Sequence, residues 1–448
     1  MKKINKKHLL IFTTIFLILS IFSIFEIINM DLIWTYGFSY NISENLIPYK
    51  DFNMVISPLY SFIFSIPLRI FGNSLIAFKL SHIFIYSLIL TLIYNKLGKK
   101  TFILIFIIAI QNTICWYNTF SALLVLLILY LLDSNSKYKD IFIGLIIGFI
   151  LMTKHNIGLT LFLVYIITSK RKFISLISIS IPVLITIFIL LITNSFIEFI
   201  DFCYLGLGNF LDNLLITPFD LIFSIITIIY LLIELIKEKN IKLLYIIAFM
   251  IMVFPIIDTN HFLISLIPVT YYILYKNNFL PKYIITILIT LQIILNITNI
   301  NQIEILTDNN FLKYNIAYKG INNYLKEYSK YINNLNKNTY TFITNSYLLK
   351  LYNNENPTFY DLINNGNLGK NNKKYIKEID KNCKNKNCIF ILDSKYFVKN
   401  KNNQKNSILK YFVVEEKNQL IDDFKEYVIK NYTYVETLPT NDRVYKNN

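Results

Sequence analysis

Apolar residues run in long blocks through the first two thirds of the chain and thin out after residue 300. A transmembrane helix needs about 20 mostly apolar residues. Runs of that character fall at 9–29, 75–95, 101–115, 118–133, 140–154, 157–169, 173–193, 219–236, 243–258, 262–276 and 283–299. The pattern therefore predicts an all-α polytopic membrane domain over residues 1–300, with about eleven transmembrane helices. The shorter runs would fit by thinning the bilayer locally. The first run is too long for the apolar core of a signal peptide, and no small-residue cleavage site follows it, so it reads as a retained helix. The stretch from Ser57 to Gly72 is also apolar but holds Pro67 and Arg69, and it reads as a helix lying in the interface. Beyond residue 300 the chain is rich in Asn and Lys. Helices are expected at Tyr318–Asn334, Lys373–Asn382 and Gln419–Asn431, and strands at Thr339–Thr344, Cys388–Asp393 and Tyr434–Leu438. Residues 301–448 are thus expected to form a small α/β domain.

Charge orients the chain. Lys96, Lys99 and Lys100, then Lys137 and Lys139, Lys170, Arg171 and Lys172, Lys237, Lys239 and Lys242, and Lys276 and Lys282 all fall in alternate connections. The remaining connections are nearly free of Lys and Arg. With the N-terminus in the cytoplasm, one orientation satisfies every loop. The odd number of spans then puts the C-terminal domain on the extracytoplasmic side of the cell (plasma or inner) membrane. Treating 57–72 as a span would invert every later loop.

Composition agrees with this and removes other classes. Hydrophobic residues make up 54% of the 448 residues and charged residues 16%, too apolar for an ordinary soluble protein. The net charge of +16 does not point to nucleic acid, because the lysines flank apolar runs and no stacking platform accompanies them. A coding bias toward AT-rich codons also enriches Lys, Asn, Ile and Tyr together. No CxxC occurs among the four cysteines, which removes zinc-ribbon and thioredoxin-type readings. Cys383 and Cys388 flank a Lys–Asn turn and would be free to pair on an oxidising side. His82, His155 and His261 show no metal spacing, so the metal set is empty. Gly366–Lys370 lacks the spacing of a phosphate loop.

Ionisable residues in or beside membrane spans are functional candidates by default. Asp31 ends the first run on its outer side, Glu26 lies about one turn deeper, and Asp51 lies in the first external segment. A carboxylate at this depth can act as a general base on an acceptor hydroxyl. Lys154, at an outer turn, breaks the charge rule and could bind a phosphate as a point charge; His155 beside it and Arg69 are the other donor-phosphate candidates. Each has a structural alternative: an interfacial Asp bonded to loop amides, a snorkelling Lys, a hydrogen-bonded helix-end His. Glu198 and Asp201, among the aromatics of 194–218, are acceptor or lid candidates, with structural packing the competing reading.

The first external segment reads Met30-Asp31-Leu32-Ile33-Trp34, then Ile47-Pro48-Tyr49-Lys50-Asp51-Phe52, then Ser57-Pro58-Leu59-Tyr60, and ends at Phe71-Gly72. Later come Tyr117-Asn118-Thr119-Phe120-Ser121, Gly148 through Thr153-Lys154-His155-Asn156-Ile157-Gly158, and Asn260-His261-Phe262 to Pro268. Over residues 10–300 this resembles the polytopic GT-C glycosyltransferases of the protein O-mannosyltransferase and aminoarabinose-transferase type. The resemblance implies a GT-C-like fold. It also implies a membrane glycosyltransferase that moves a sugar from a polyprenyl-phosphate-linked donor to an envelope glycan, lipid or protein acceptor at the outer face. It assigns the catalytic carboxylate to Asp31 and strengthens Lys154 as the phosphate cation. Two positions depart from the family: Leu32 replaces a frequent acid after the family Asp, and Asn118 replaces a carboxylate before the fourth span. Asp51 is then the best substitute for a second acid. The resemblance calls for no cofactor and leaves a divalent metal open. Expected partners are the lipid-linked donor, the acceptor and membrane lipids, without nucleic acid. The competing readings are a lipid-linked glycan flippase or transporter and a non-catalytic envelope glycan assembly protein.

Overall fold

A computed structural model describes residues 6–111, 114–206, 217–254, 256–276, 303–306, 312–333, 339–343, 345–358, 361, 373–383, 388–394, 419–438 and 440–447. Its first part is helical: α1 Lys6–Ile24, α2 Met30–Ser43, α3 Leu59–Phe71, α4 Leu75–Leu97, α5 Thr101–Ala109, α6 Tyr117–Leu132, α7 Lys139–Leu151, α8 His155–Thr168, α9 Lys172–Ile192 and α10 Phe196–Ile200. Helices Pro218–Glu238, Ile241–Met250 and Thr259–Lys276 follow.

Among the described residues, four helical stretches are long and apolar enough to cross a membrane: Lys6–Ile24, Leu75–Ala109, Lys172–Ile192 and Pro218–Glu238. Leu75–Ala109 joins two of the expected spans across the turn Gly98–Lys100. The other expected spans are shorter helices, and 283–299 lies outside the described residues. Burial varies among the apolar helices. α6 is buried along nearly its whole length, from Asn118 to Leu129, so its apolar sequence matches neighbouring protein. α9 instead leaves Phe173, Ile177, Ile181, Leu184, Phe188 and Leu191 exposed. A helix that is apolar all round is either a core helix or a membrane span, and hydropathy does not tell them apart. At 13 residues, about 20 Å, α3 is too short to span the hydrocarbon core. It buries Tyr60, Phe64 and Leu68 and exposes Ile66, Ile70 and Phe71.

Polar groups gather at the two ends of α6. At its C-terminal end, Asp133 takes Lys242 at 2.7 Å and Lys96 at 3.8 Å. Nearby helix ends are joined by Lys276–Glu238 at 2.5 Å and by Lys100 Nζ on Leu274 O at 3.3 Å. The lysines of three expected cytoplasmic loops therefore share one end of the helical region. The N-terminal end of α6, about 24 Å away along the helix, carries Asn118.

The C-terminal part is α/β, as expected, with more strands than the sequence pattern indicates. β1 Ile303–Ile305 pairs antiparallel with β2 Ile316–Tyr318. β3 Thr339–Phe342, β4 Ile389–Leu392, β5 Thr433–Thr437 and β6 Arg443–Lys446 form a sheet in the order β3-β4-β6-β5. β3 and β4 are parallel and the other pairs antiparallel. Helices Ile321–Asn333, Ser346–Tyr352, Lys373–Cys383 and Gln419–Asn431 complete it. β6 is a central strand of four residues, too short and polar for an alternation signal. Cys383 and Cys388 form a disulfide between the end of one helix and the start of β4.

This part docks on α2. Ile28 N donates to Ile316 O at 2.8 Å, and Asn41 Nδ2 to Pro357 O at 2.9 Å. Tyr347 sits edge-on to Phe38 and directly over Gly37, where an added Cβ would come within 2.6 Å of its Cε1. Gly37 is thus glycine because an aromatic ring occupies the place of a side chain. Gly37→Val should destabilise the docked state by about 1–3 kcal/mol, read as a lower thermal midpoint and faster proteolysis of the C-terminal part. Gly37→Val combined with Tyr347→Ala should recover much of that loss.

Candidate functional site

Four helix starts meet at the end of the helical region opposite Asp133. α2 begins with Asn29, whose side chain accepts from Leu32 N at 2.9 Å, and Asp31 lies in its first turn. Helix N-termini favour negative charge, so a carboxylate is at home there. α6 begins after the extended Trp116, placing Asn118 in its first turn, fully buried. The turn between α7 and α8 presents Lys154. That turn is tight because Gly158 lets α8 lie against Leu151, whose Cα would be 2.2 Å from an added Cβ. Asp258 precedes helix Thr259–Lys276 and caps it, accepting from His261 N at 2.8 Å. The Asp258 loop is held in turn by Thr217, whose N and Oγ1 both donate to Ile257 O, at 2.9 and 2.7 Å.

The side chains connect. Lys154 Nζ donates to Asn118 Oδ1 at 2.8 Å and lies 5.7 Å from the Tyr117 ring centre. Asn118 Nδ2 is 3.4 Å from His261 Nε2, and His261 Nδ1 is 2.9 Å from Asp258 Oδ1. Asp31 completes the group through its field on Lys154, Asp258 and Tyr117 rather than through a direct bond. Burial, reinforced by the nearby Asp258 charge and opposed by Lys154, pushes the Asp31 carboxyl up to about 6. Burial pulls the Lys154 ammonium down to about 7 against the attraction of Asp258 and Asp31. Asp258 is also penalised by burial, yet its bonds to His261 and the field of Lys154 hold it below the usual carboxylate range. The pair of acids is therefore split into one easily protonated and one kept charged.

The sequence candidates separate on this geometry. Asp31 and Lys154 come together. His155 adjoins Lys154, its ring 5.2 Å from that of Tyr204, with Nδ1 buried and without a hydrogen-bond partner among the described residues. Asp51 stays in its own turn, where Oδ2 accepts from Ile47 N at 2.7 Å. Arg69 works at the far end of α2, donating to Ile42 O at 2.7 Å and Asn45 Oδ1 at 3.0 Å. Glu198 and Asp201 face Tyr375 of the C-terminal part, and the rest of that loop, 207–216, lies outside the described residues. Gly366–Lys370 also lies outside them. Glu26 is buried against Lys79 at 3.9 Å and accepts from Cys115 N at 3.3 Å, fastening the end of α1 to α4 and to the segment before α6. No group of three or more His, Cys, Asp or Glu residues suited to a metal ion occurs among the described residues.

Two members were not singled out from sequence. Asp258 carried a signal, the Asp-x-x-His spacing at a helix start that places a carboxylate on the third residue's amide. Asn118 stood out as a departure from a resembling family, and its role depends on neighbours from two other helices. No protein-family model, curated protein or solved structure matches the chain.

The charge on Asp31 should lower stability. Its folded value of about 6 exceeds the ordinary 3.8, so the cost is full above about 6 and gone below about 3.8, where both states are protonated. Asp31→Asn should therefore raise the thermal midpoint at pH 8 by an amount equivalent to about 3 kcal/mol. The advantage should shrink through the acid window and vanish by about pH 4; a constant difference across pH would refute the assignment.

Proposed function

We propose that the chain is a membrane-embedded glycosyltransferase that moves a sugar from a polyprenyl-phosphate-type donor to an envelope acceptor, with Asp31 as general base and Lys154 as the donor-phosphate cation. The observation that carries this reading is the meeting of a readily protonated carboxylate and a half-buried ammonium at one end of an apolar helical region. No described residue donates a hydrogen bond to the Asp31 carboxylate, leaving it available to an acceptor hydroxyl. Lys154 gives one N–H to Asn118, and an ammonium has three. Beside these residues, Trp34 Nε1, Trp116 Nε1 and His155 Nδ1 are buried without hydrogen-bond partners among the described residues. Buried polar atoms left unpaired are costly, and a polar ligand would satisfy them.

The chemistry follows from these positions. The acceptor hydroxyl attacks the anomeric carbon and gives its proton to the Asp31 carboxylate, while the bond from that carbon to the phosphate oxygen breaks. The leaving phosphate gains negative charge, which the Lys154 ammonium offsets. Asp258, kept charged by His261, takes the place of second acid at the site that Asp51 was expected to hold. It raises Asp31 as a base and attracts the ammonium.

In this reading the basic end holding Lys96, Lys100, Lys242 and Lys276 faces the cytoplasm, and the Asp31 end, with the C-terminal part docked on α2, faces outward. Transporters usually bind at the bilayer midplane, whereas these polar clusters lie at helix ends, which favours the enzyme over a flippase.

Loss of a general base typically costs ~10²–10⁴-fold in rate. Asp31→Asn should lose transfer by that factor at matched protein level, and Asp51→Asn should change it far less. With Asp31 near 6 and Lys154 near 7, kcat/KM should follow a narrow bell against pH, falling on the acid side as Asp31 protonates and on the alkaline side as Lys154 loses its charge. Lys154→Arg should abolish the alkaline limb, because the guanidinium stays charged. Near-normal transfer by Asp31→Asn would remove the mechanism. For the topology, a reporter that works only in the cytoplasm, fused after Asn448, should stay silent; a bright signal would invert the assignment.

A further inference from the structure

Asn118 stands between two ionisable partners, and its amide can satisfy both in only one orientation. The Lys154 ammonium can only donate, so it requires Oδ1, which it meets at 2.8 Å. Nδ2 must then face His261 Nε2, 3.4 Å away, and donate to it. That makes Nε2 the unprotonated nitrogen, so Nδ1 carries the proton and gives it to Asp258 Oδ1 at 2.9 Å. Asp258 is held from behind, because the same Oδ1 caps His261 N and the neighbouring Ile257 O takes two bonds from Thr217. Every bond thus runs one way, from Lys154 through Asn118 and His261 to Asp258. The relay links three helix starts.

An amide at this place has a consequence that a carboxylate would not. A carboxylate bonded to Lys154 would neutralise it and compete with an incoming anion. Asn118 Oδ1 fixes the ammonium in place and leaves its charge for a ligand. The other charges facing Lys154 are Asp31 and Asp258, and Tyr117 offers a ring face.

We infer that Asn118 is the positioning residue for Lys154, oriented by the Asp258–His261 pair, and that it holds the ammonium without neutralising it so that the cation can take a phosphate group. The naming of phosphate rests on the proposed function; the relay does not.

The test uses the full chain in lipid nanodiscs with lysine labelled with carbon-13 at Cε, the Lys154 signal assigned by its loss in Lys154→Arg. In the first arm the Lys154 titration is followed by NMR without ligand. Removing the acceptor of an ammonium hydrogen bond should lower its pKa by about one to two units, so Asn118→Leu should show that shift. His261→Ala, which makes no hydrogen bond to Lys154 itself, should lower it in the same direction, and the double variant should add little. His261→Gln, which can still present an acceptor to Asn118, should restore the wild-type titration. An unchanged titration in folded His261→Ala, or full additivity in the double variant, would overturn the relay. In the second arm a long-chain prenyl phosphate in the nanodisc, or inorganic phosphate in solution, is titrated against the Lys154 signal. Asn118→Asp should weaken the response at least about tenfold while keeping the hydrogen bond. A response to the prenyl phosphate alone identifies a lipid headgroup, and a response to both identifies a general phosphate site. Equal affinity in Asn118→Asp and wild type would overturn the claim that neutrality at position 118 matters. Absence of glycosyl transfer with both arms positive would sink the enzyme reading and leave the relay standing.

Discussion

An ammonium at the end of an apolar helical bundle has to be matched by groups that can reach it, and the arrangement around Lys154 follows from that requirement. Burying a charge is expensive unless it is paired and hydrogen-bonded. Lys154 meets this with one direct bond, to Asn118, and with two carboxylates acting at longer range. The partners come from α2, α6 and helix Thr259–Lys276, so one cation draws the starts of several helices to one place. The tight α7–α8 turn makes this possible. Gly158 brings α8 onto Leu151, and that close approach sets where the turn residue can point.

The same economy appears at the opposite end, where Asp133 collects Lys96 and Lys242. α6 runs between the two polar ends as a buried strut. Its apolar length keeps them apart, and its terminal residues, Asn118 and Asp133, each serve as a hub. Between them Ser121 Oγ bonds back to its own helix, donating to Tyr117 O at 2.8 Å. Such bonds satisfy a hydroxyl locally without needing a partner from another helix.

The C-terminal part is tied to the site through α2. Ile28 meets Ile316 just before Asp31, and Tyr347 fills the space over Gly37 two turns later. The helix carrying the proposed base is therefore fixed at its start by a strand of the C-terminal part and along its side by an aromatic anchor. Movement of that part relative to the helices would be felt at Asp31, since one contact lies just before its helix and the other on the helix side.

Much of this was readable from residue order. The alternation of apolar runs with Lys-rich connections gave the helical region, and the loss of those runs located the C-terminal part, because hydropathy and helical period are properties of local sequence. Gln419–Asn431 and Lys373–Cys383 were legible for the same reason. Asp31 and Lys154 stood out because charge beside an apolar run is rare whatever the fold. The tertiary structure decided the rest. Hydropathy cannot separate a lipid-facing helix from one inside a bundle, so α6 and α9 look alike in sequence and differ in burial. Nor could local sequence tell which other acid would lie near Asp31. Asp51 lies in the more suggestive motif but closes on its own turn, whereas Asp258, more than two hundred residues from Asp31, is brought within its field by packing. Charge acts through space, and which charges are neighbours is set only once the chain has folded.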